Sequence, residues 1–240
     1  MTAANVLAWR QRSSPANPSP VPSRVLLAFD GSIVSAIRRR HGVRDASGPA
    51  GRFAIVRPRS GEPVGLLVPP GGGGPALAVA VEEAAALGAR EFISIGMAGG
   101  ISPSVKPGAI LLLDAALPYD GTSKAYGAGP GPVGPDSRLT DEIAARLERA
   151  GVVHERAASW TTDAVYRETP AAIRAAVAGG ASVVEMEAAG LFAVARALGI
   201  RAAAVVVVAD DVSDLTWRPP HDIAACRRSL AAVAEALMAP

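Results

Sequence analysis

From residue 25 onward, short apolar runs alternate with stretches of helical periodicity. Residues 25–29 read as a strand and residues 33–40 as a short helix. Residues 52–56 and 64–68 read as two strands joined by the turn Ser60-Gly61-Glu62-Pro63. An alanine-rich helix then ends near Leu87-Gly88, and residues 91–95 form a buried strand that stops in Gly96-Met97-Ala98-Gly99-Gly100. Later strands are expected at 109–113, 157–161, 183–186 and 202–208. Later helices are expected at 136–150, 170–178, 187–198 and 221–238, and residues 118–135 form a Gly- and Pro-rich loop. This order predicts a single α/β domain over residues 24–240, with a mostly parallel or mixed central sheet covered by helices. Residues 1–23, rich in Pro and Ser, read as a flexible arm.

Composition narrows the class. Half of the residues are apolar but only 4% aromatic, so Ala, Val, Leu and Ile must build the core. The lone cysteine, Cys226, precludes an intramolecular disulfide and points to a reducing compartment. The chain shows no apolar run of membrane-spanning length and no signal-peptide core, so the expectation is a cytoplasmic protein with no membrane partner. Cys226 lies in an amphipathic stretch and reads as core. The first sixty residues carry ten arginines against Asp30 and Asp45, while the remainder is net acidic. The arginines are scattered without interleaved aromatics, which argues for a solvated helix face or subunit contact and against nucleic acid. His41, His154 and His221 lack ligand spacing, so neither a metal nor a cofactor is expected.

The chemistry gathers at the ends of apolar runs. Val183-Val184-Glu185-Met186-Glu187 places two carboxylates where a strand hands over to a helix, and strand alternation would set both on one side. One of them could cap the helix. The run 202–208 ends in Asp210 and Asp211. Carboxyl ends of strands in an open α/β sheet are where ligands bind. Carboxylates there suit a sugar passing through an oxocarbenium-like state, and a buried Asp could donate a proton to a leaving base. Gly71 to Gly74 precede a helix and could present backbone N–H groups to a ligand, or simply form a tight turn. Gly96 allows close backbone approach. Thr162 and Asp163 follow another strand, and Asp163 reads first as a loop-fixing acid.

Together Val184-Glu185-Met186-Glu187-Ala188, the 71–75 loop, Gly96 to Gly100, Thr161-Thr162-Asp163 and the Asp210 strand end resemble the nucleoside phosphorylase superfamily. That superfamily includes uridine phosphorylase, the hexameric purine nucleoside phosphorylases and the methylthioadenosine nucleosidases. The resemblance spans about residues 24–238. It implies a three-layer αβα sandwich with a central mixed sheet, assembled as a homodimer or as a hexamer built from dimers. It also implies that Glu187 binds the ribose hydroxyls, Met186 packs on the sugar, and Asp210 or Asp211 protonates a purine. Gly72, Gly73, Met97 and Ala98 would line the site with Gly96, and Asp30 or Glu185 would orient the acceptor.

Where such enzymes hold phosphate, this chain differs. Phe29-Asp30-Gly31-Ser32-Ile33 replaces Gly-Asp-Pro-x-Arg, Ser94 replaces an arginine, and Met97 replaces a threonine. A phosphate dianion needs guanidinium groups or several fixed donors. Val165 stands where many relatives stack an aromatic ring on the base, and the residues that read uracil are absent. The sequence therefore points to N-glycosidic cleavage of a nucleoside, a purine nucleoside ahead of a pyrimidine one, with water ahead of phosphate as acceptor. A phosphorylase with a rearranged phosphate site, completed by Arg52 or a partner's arginine, is the alternative. A non-catalytic nucleoside-binding protein is another.

Overall fold

The computed structural model describes residues 1–13 and 19–239. Its centre is a nine-stranded mixed sheet: β1 (Arg24–Ala28), β2 (Gly42–Asp45), β3 (Arg52–Arg57), β4 (Val64–Val68), β5 (Glu91–Gly100), β6 (Ile110–Pro118), β7 (Glu155–Thr161), β8 (Ala181–Glu185) and β9 (Arg201–Asp211). The order is β2-β3-β4-β1-β5-β8-β7-β6-β9, and β5 also pairs with β9. That extra pairing closes β5, β8, β7, β6 and β9 into a ring, from which β1 to β4 extend as a wing.

The core follows from side-chain alternation along the two longest strands. In β9, Ala202, Ala204, Val206 and Val208 face one layer, while Ala203, Val205, Val207 and Ala209 face the other. A strand covered on both faces reads as a continuous apolar run, which is why 202–208 has no polar break. The first layer contains α3 (Gly74–Ala86) and α7 (Ala188–Leu198), whose Leu77 and Phe192 are buried against the sheet. The second contains α2 (Gly31–Arg40), α5 (Ser137–Arg149) and α8 (Ile223–Met238), with Ile37, Leu147 and Leu230 inward. The three layers and mixed sheet agree with the expected fold. Cys226 is buried in the second layer.

Local sequence sets the helix ends. Asp30 and Asp136 accept from the backbone N–H groups of Ser32 and Leu139 at the starts of α2 and α5. Such a cap is worth about 1 kcal/mol. The Arg38-Arg39-Arg40 run closes α2, where cations favour the helix dipole. Gly199 ends α7 in the left-handed region at φ 64°.

Five features depart from the sequence expectation. The segment Gly96 to Gly100 is strand rather than post-strand turn, because β5 finds partners there in β9 and β8. Asp210 and Asp211 belong to β9 itself. A polar edge strand, β2, pairs antiparallel with β3, and its mostly exposed residues give no alternation signal. Within the stretch read as a flexible arm, Ala3–Ser13 form a helix, α1; Leu7 is buried there and Arg10 meets Glu83 of α3 at 2.6 Å. Residues 14–18 of that stretch lie outside the described residues. Within the loop at 118–135, Gly121–Ala125 form a short helix, α4, capped by the buried Asp120. No helix among the described residues is long and apolar enough to cross a membrane.

Candidate active site

The carboxyl ends of β1, β4, β5, β8 and β9 converge on a cavity of about 970 Å³. A mononucleoside-sized ligand fits such a volume. Two carboxylate groupings occupy it, one at the β8–α7 junction and one at the end of β9.

At the first, Glu185 and Glu187 have separate fates. Glu185 ends β8 and is buried. Its Oε2 accepts the backbone N–H groups of Glu187 at 2.7 Å and Ala188 at 2.6 Å, the first free donors of α7. Its Oε1 accepts from the hydroxyls of Ser159, at 3.1 Å, and Thr161. Four donors fill the four lone-pair sites of a carboxylate. Glu185 is therefore the helix-capping member of the pair, with no acceptor capacity left for orienting water or phosphate. Burial and the neighbouring charge of Glu187 nevertheless raise its pKa to about 7, against the lowering effect of those hydrogen bonds.

Glu187 has left the strand. Its backbone, at φ −128° and ψ −35°, is no longer extended, so the alternation that would pair it with Glu185 stops one residue earlier. Its Oε1 accepts the Gly73 N–H at 2.6 Å, which places the carboxylate at the N-terminus of α3 as well as of α7. Gly73 has φ 82°, a left-handed conformation that a side chain would strain. The 71–74 turn thus aims a backbone donor at Glu187, rather than at an external anion. Burial raises the Glu187 carboxyl pKa, and the Gly73 and Met186 hydrogen bonds oppose that rise. Met186, Gly72, Met97 and Ala98 line the cavity beside it. Gly96 does not line it; a Cβ there would meet Phe29.

At the second grouping, Asp210 faces the cavity while Asp211 turns away. The Asp211 carboxylate accepts from the Ser213 N–H at 3.0 Å and pairs with Arg218 at 3.1 Å. Burial alone would raise its pKa, but these bonds win and lower it. Asp210 instead accepts from the indole Nε1 of Trp217 at 2.6 Å. Glu168 lines the same end; burial and the charge of Asp210 raise its pKa to about 7. Val165 lines the cavity next to it. Trp217 and Glu168 were not anticipated. Both sit on loops without periodicity, and only their proximity to Asp210 in space marks them.

The remaining candidates are placed as follows. Asp30 lines the cavity at the end of β1, capping α2 and lying 3.5 Å from Arg227. Burial works to raise its pKa, and the Ser32 and Arg227 contacts lower it overall. Asp163 accepts the Gly121 N–H at 2.7 Å outside the cavity, the loop-fixing role read first from sequence. Thr162 is buried beyond the lining, its backbone N–H bonded to the Glu185 carbonyl. Arg52 opens β3 opposite Val68, which lines the cavity, but is not itself among the lining residues, which include no Lys or Arg among the described residues.

Comparison with known proteins places the chain in a family. A sequence profile of the phosphorylase superfamily matches residues 26–239. The uridine phosphorylase of Thermococcus kodakarensis is 33% identical over 149 residues, 57% of this chain and 54% of that one. The guanosine phosphorylase of Halorubrum lacusprofundi is 32% identical over 137 residues, 57% of this chain and 56% of its own length. The chain thus spans little more than half the length of these curated relatives. The purine nucleoside phosphorylase of Toxoplasma gondii, solved with immucillin-H, superposes with a TM-score of 0.79 at 18% identity, covering 92% of this chain and 91% of that one. That likeness confirms the fold. With the carboxylate-lined cavity at its strand ends and a profile match over nearly its whole length, the chain belongs to the phosphorylase superfamily of nucleoside phosphorylases.

Proposed function

We propose that this protein cleaves the N-glycosidic bond of a nucleoside, with Glu187 holding the ribose and Asp210 serving the base. The observation that carries this reading is that Glu187 and Asp210 line one and the same cavity. A carboxylate held by the backbone at Gly73 and Met186 still keeps free lone pairs for two vicinal hydroxyls. It also stabilises positive charge developing on the ribose ring. At the far end Glu168 and Asp210 resist carrying two charges side by side, so a proton held there is available to the departing base.

Phosphate is the acceptor that the relatives support, since two curated relatives are phosphorylases by name. The cavity then needs cations from beyond its own lining. Arg227, beside Asp30 at the rim, supplies one, and a neighbouring copy in a dimer or hexamer supplies others. One observation favours water instead: the lining itself carries Asp30 and no Lys or Arg among the described residues. Base release from guanosine, inosine, adenosine and uridine, followed chromatographically with and without phosphate, separates the two. Phosphorolysis requires phosphate and yields ribose 1-phosphate, while hydrolysis yields free ribose at an unchanged rate. No base release from any nucleoside in either buffer would overturn the assignment.

A further inference from the structure

Resting on the reading of the cavity as a nucleoside site, we propose that Glu168 reads the base, and that the base it selects is guanine, through its adjacent ring N–H and 2-amino group.

The argument begins with the hydrogen-bonding character of the wall. Among the side chains that line the cavity, only Tyr166 and Trp217 carry a donor group. Tyr166 is 97% exposed, and the Trp217 N–H is committed to Asp210. The other polar side chains are carboxylates. Near Asp210 the rest of the lining is apolar, with Val165, Val212 and Leu215 offering surfaces for the faces of a ring. A wall of acceptors selects a ligand edge that presents donors.

Glu168 is the carboxylate left to meet that edge. No hydrogen bond or ion pair to another described residue engages it. Its charge is disfavoured by burial and by Asp210. A ligand that donates two hydrogen bonds to the charged form compensates both effects. Guanine offers N1–H and the 2-amino group side by side, at the spacing of the two carboxylate oxygens. Hypoxanthine offers N1–H alone. Adenine sets the lone pair of N1 against the carboxylate, and uracil flanks its one N–H with two carbonyls.

The test is equilibrium binding of 9-methylguanine, 9-methylhypoxanthine and 9-methyladenine by calorimetry, at one fixed pH, to wild type, Glu168→Gln and Glu168→Ala. Turnover of the matching nucleosides is measured alongside. We expect wild type to prefer the guanine ligand to the adenine ligand at least tenfold. Glu168→Gln should lose guanine affinity on the order of 10- to 100-fold, as for a hydrogen bond to a charged group. It should hold or gain adenine affinity, because an amide offers one donor and one acceptor. Equal affinity for both purines in wild type, equal losses in the variants, or no binding of any base overturns the proposal. Guanine-selective binding without base release would leave it standing and sink the catalytic reading alone.

Discussion

The indole N–H of Trp217 donates to the Asp210 carboxylate at 2.6 Å, and this bond ties the loop after β9 to the acid at its end. Trp217 is 63% exposed, so little burial recommends a tryptophan at that position. Holding one Asp210 oxygen fixes the side chain's rotamer while the other oxygen stays turned toward Gly99. Trp217→Phe keeps the ring and removes the donor. Base release should slow about tenfold, the value of one hydrogen bond to a charged group. The melting temperature should stay within about a degree, and unchanged turnover would show that Asp210 needs no such tether.

Glu187→Gln keeps a side-chain oxygen for the Gly73 N–H but removes the charge. Turnover should fall roughly 100-fold or more, since stabilisation of a developing cation is lost as well as hydroxyl binding. Thermal stability should hold or rise, because burial raises the pKa of this carboxyl in the native state. Steady-state kinetics with a melting curve on the same sample check both halves.

Stability should depend on pH through the raised carboxyls. Glu185 titrates near 7 in the folded protein, above its ordinary value of 4.5, so the native state holds a proton that the unfolded chain releases. Its contribution is fully present below about 4.5 and is lost as pH rises through about 7. Glu168 and Glu187 act in the same direction. The lowered carboxyls of Asp30, Glu91 and Asp211 are ionised in both states over most of that window. Urea melts at pH 5 and pH 8 should show the acid side more stable, and Glu185→Gln should shrink the difference. Glu185→Ala should instead cost about 2–4 kcal/mol at either pH, because it strands two N–H groups and two hydroxyls.

Gly99→Ala tests how tightly Asp210 is seated. A Cβ at Gly99 would lie 3.0 Å from Asp210 Oδ1 and 3.2 Å from Val184 Cγ1, so both must give way. The expected result is a loss of about 1–3 kcal/mol, typical of overpacking, with a fall in turnover. Gly96→Ala is the control, since its Cβ meets Phe29 at an ordinary 3.7 Å. Comparable behaviour of the two variants would refute the close seating.

Most of the frame was legible in the sequence because period and punctuation agree there. The run 202–208 reads as a strand covered on both faces, and Gly71 to Gly74 mark the start of α3 as plainly as Gly199 marks the end of α7. The ring closure was not legible, since pairing of β5 with both β8 and β9 is a long-range choice that no local pattern encodes. The Glu-Met-Glu segment pointed to the cavity that its residues line, but strand alternation set both carboxylates on one side. Alternation assumes that the strand continues, and the strand ends at Glu185, which leaves Glu187 as the cap residue before α7. Asp210 and Asp211 are adjacent and chemically alike in sequence; only Trp217 on one and Arg218 on the other tell them apart.

The closed ring of strands also divides what can vary from what cannot. β5, β8 and β9 are each paired on both sides within it, so any shift that moved Glu185 or Asp210 would break ladders on two edges at once. Glu168 and Trp217 hang from loops outside that hoop. On the proposed reading, exchanging Glu168 would alter which base is accepted at little structural expense, while the strand end that carries Asp210 stays put. One scaffold could thereby be retuned from base to base by changes confined to the loop that carries Glu168.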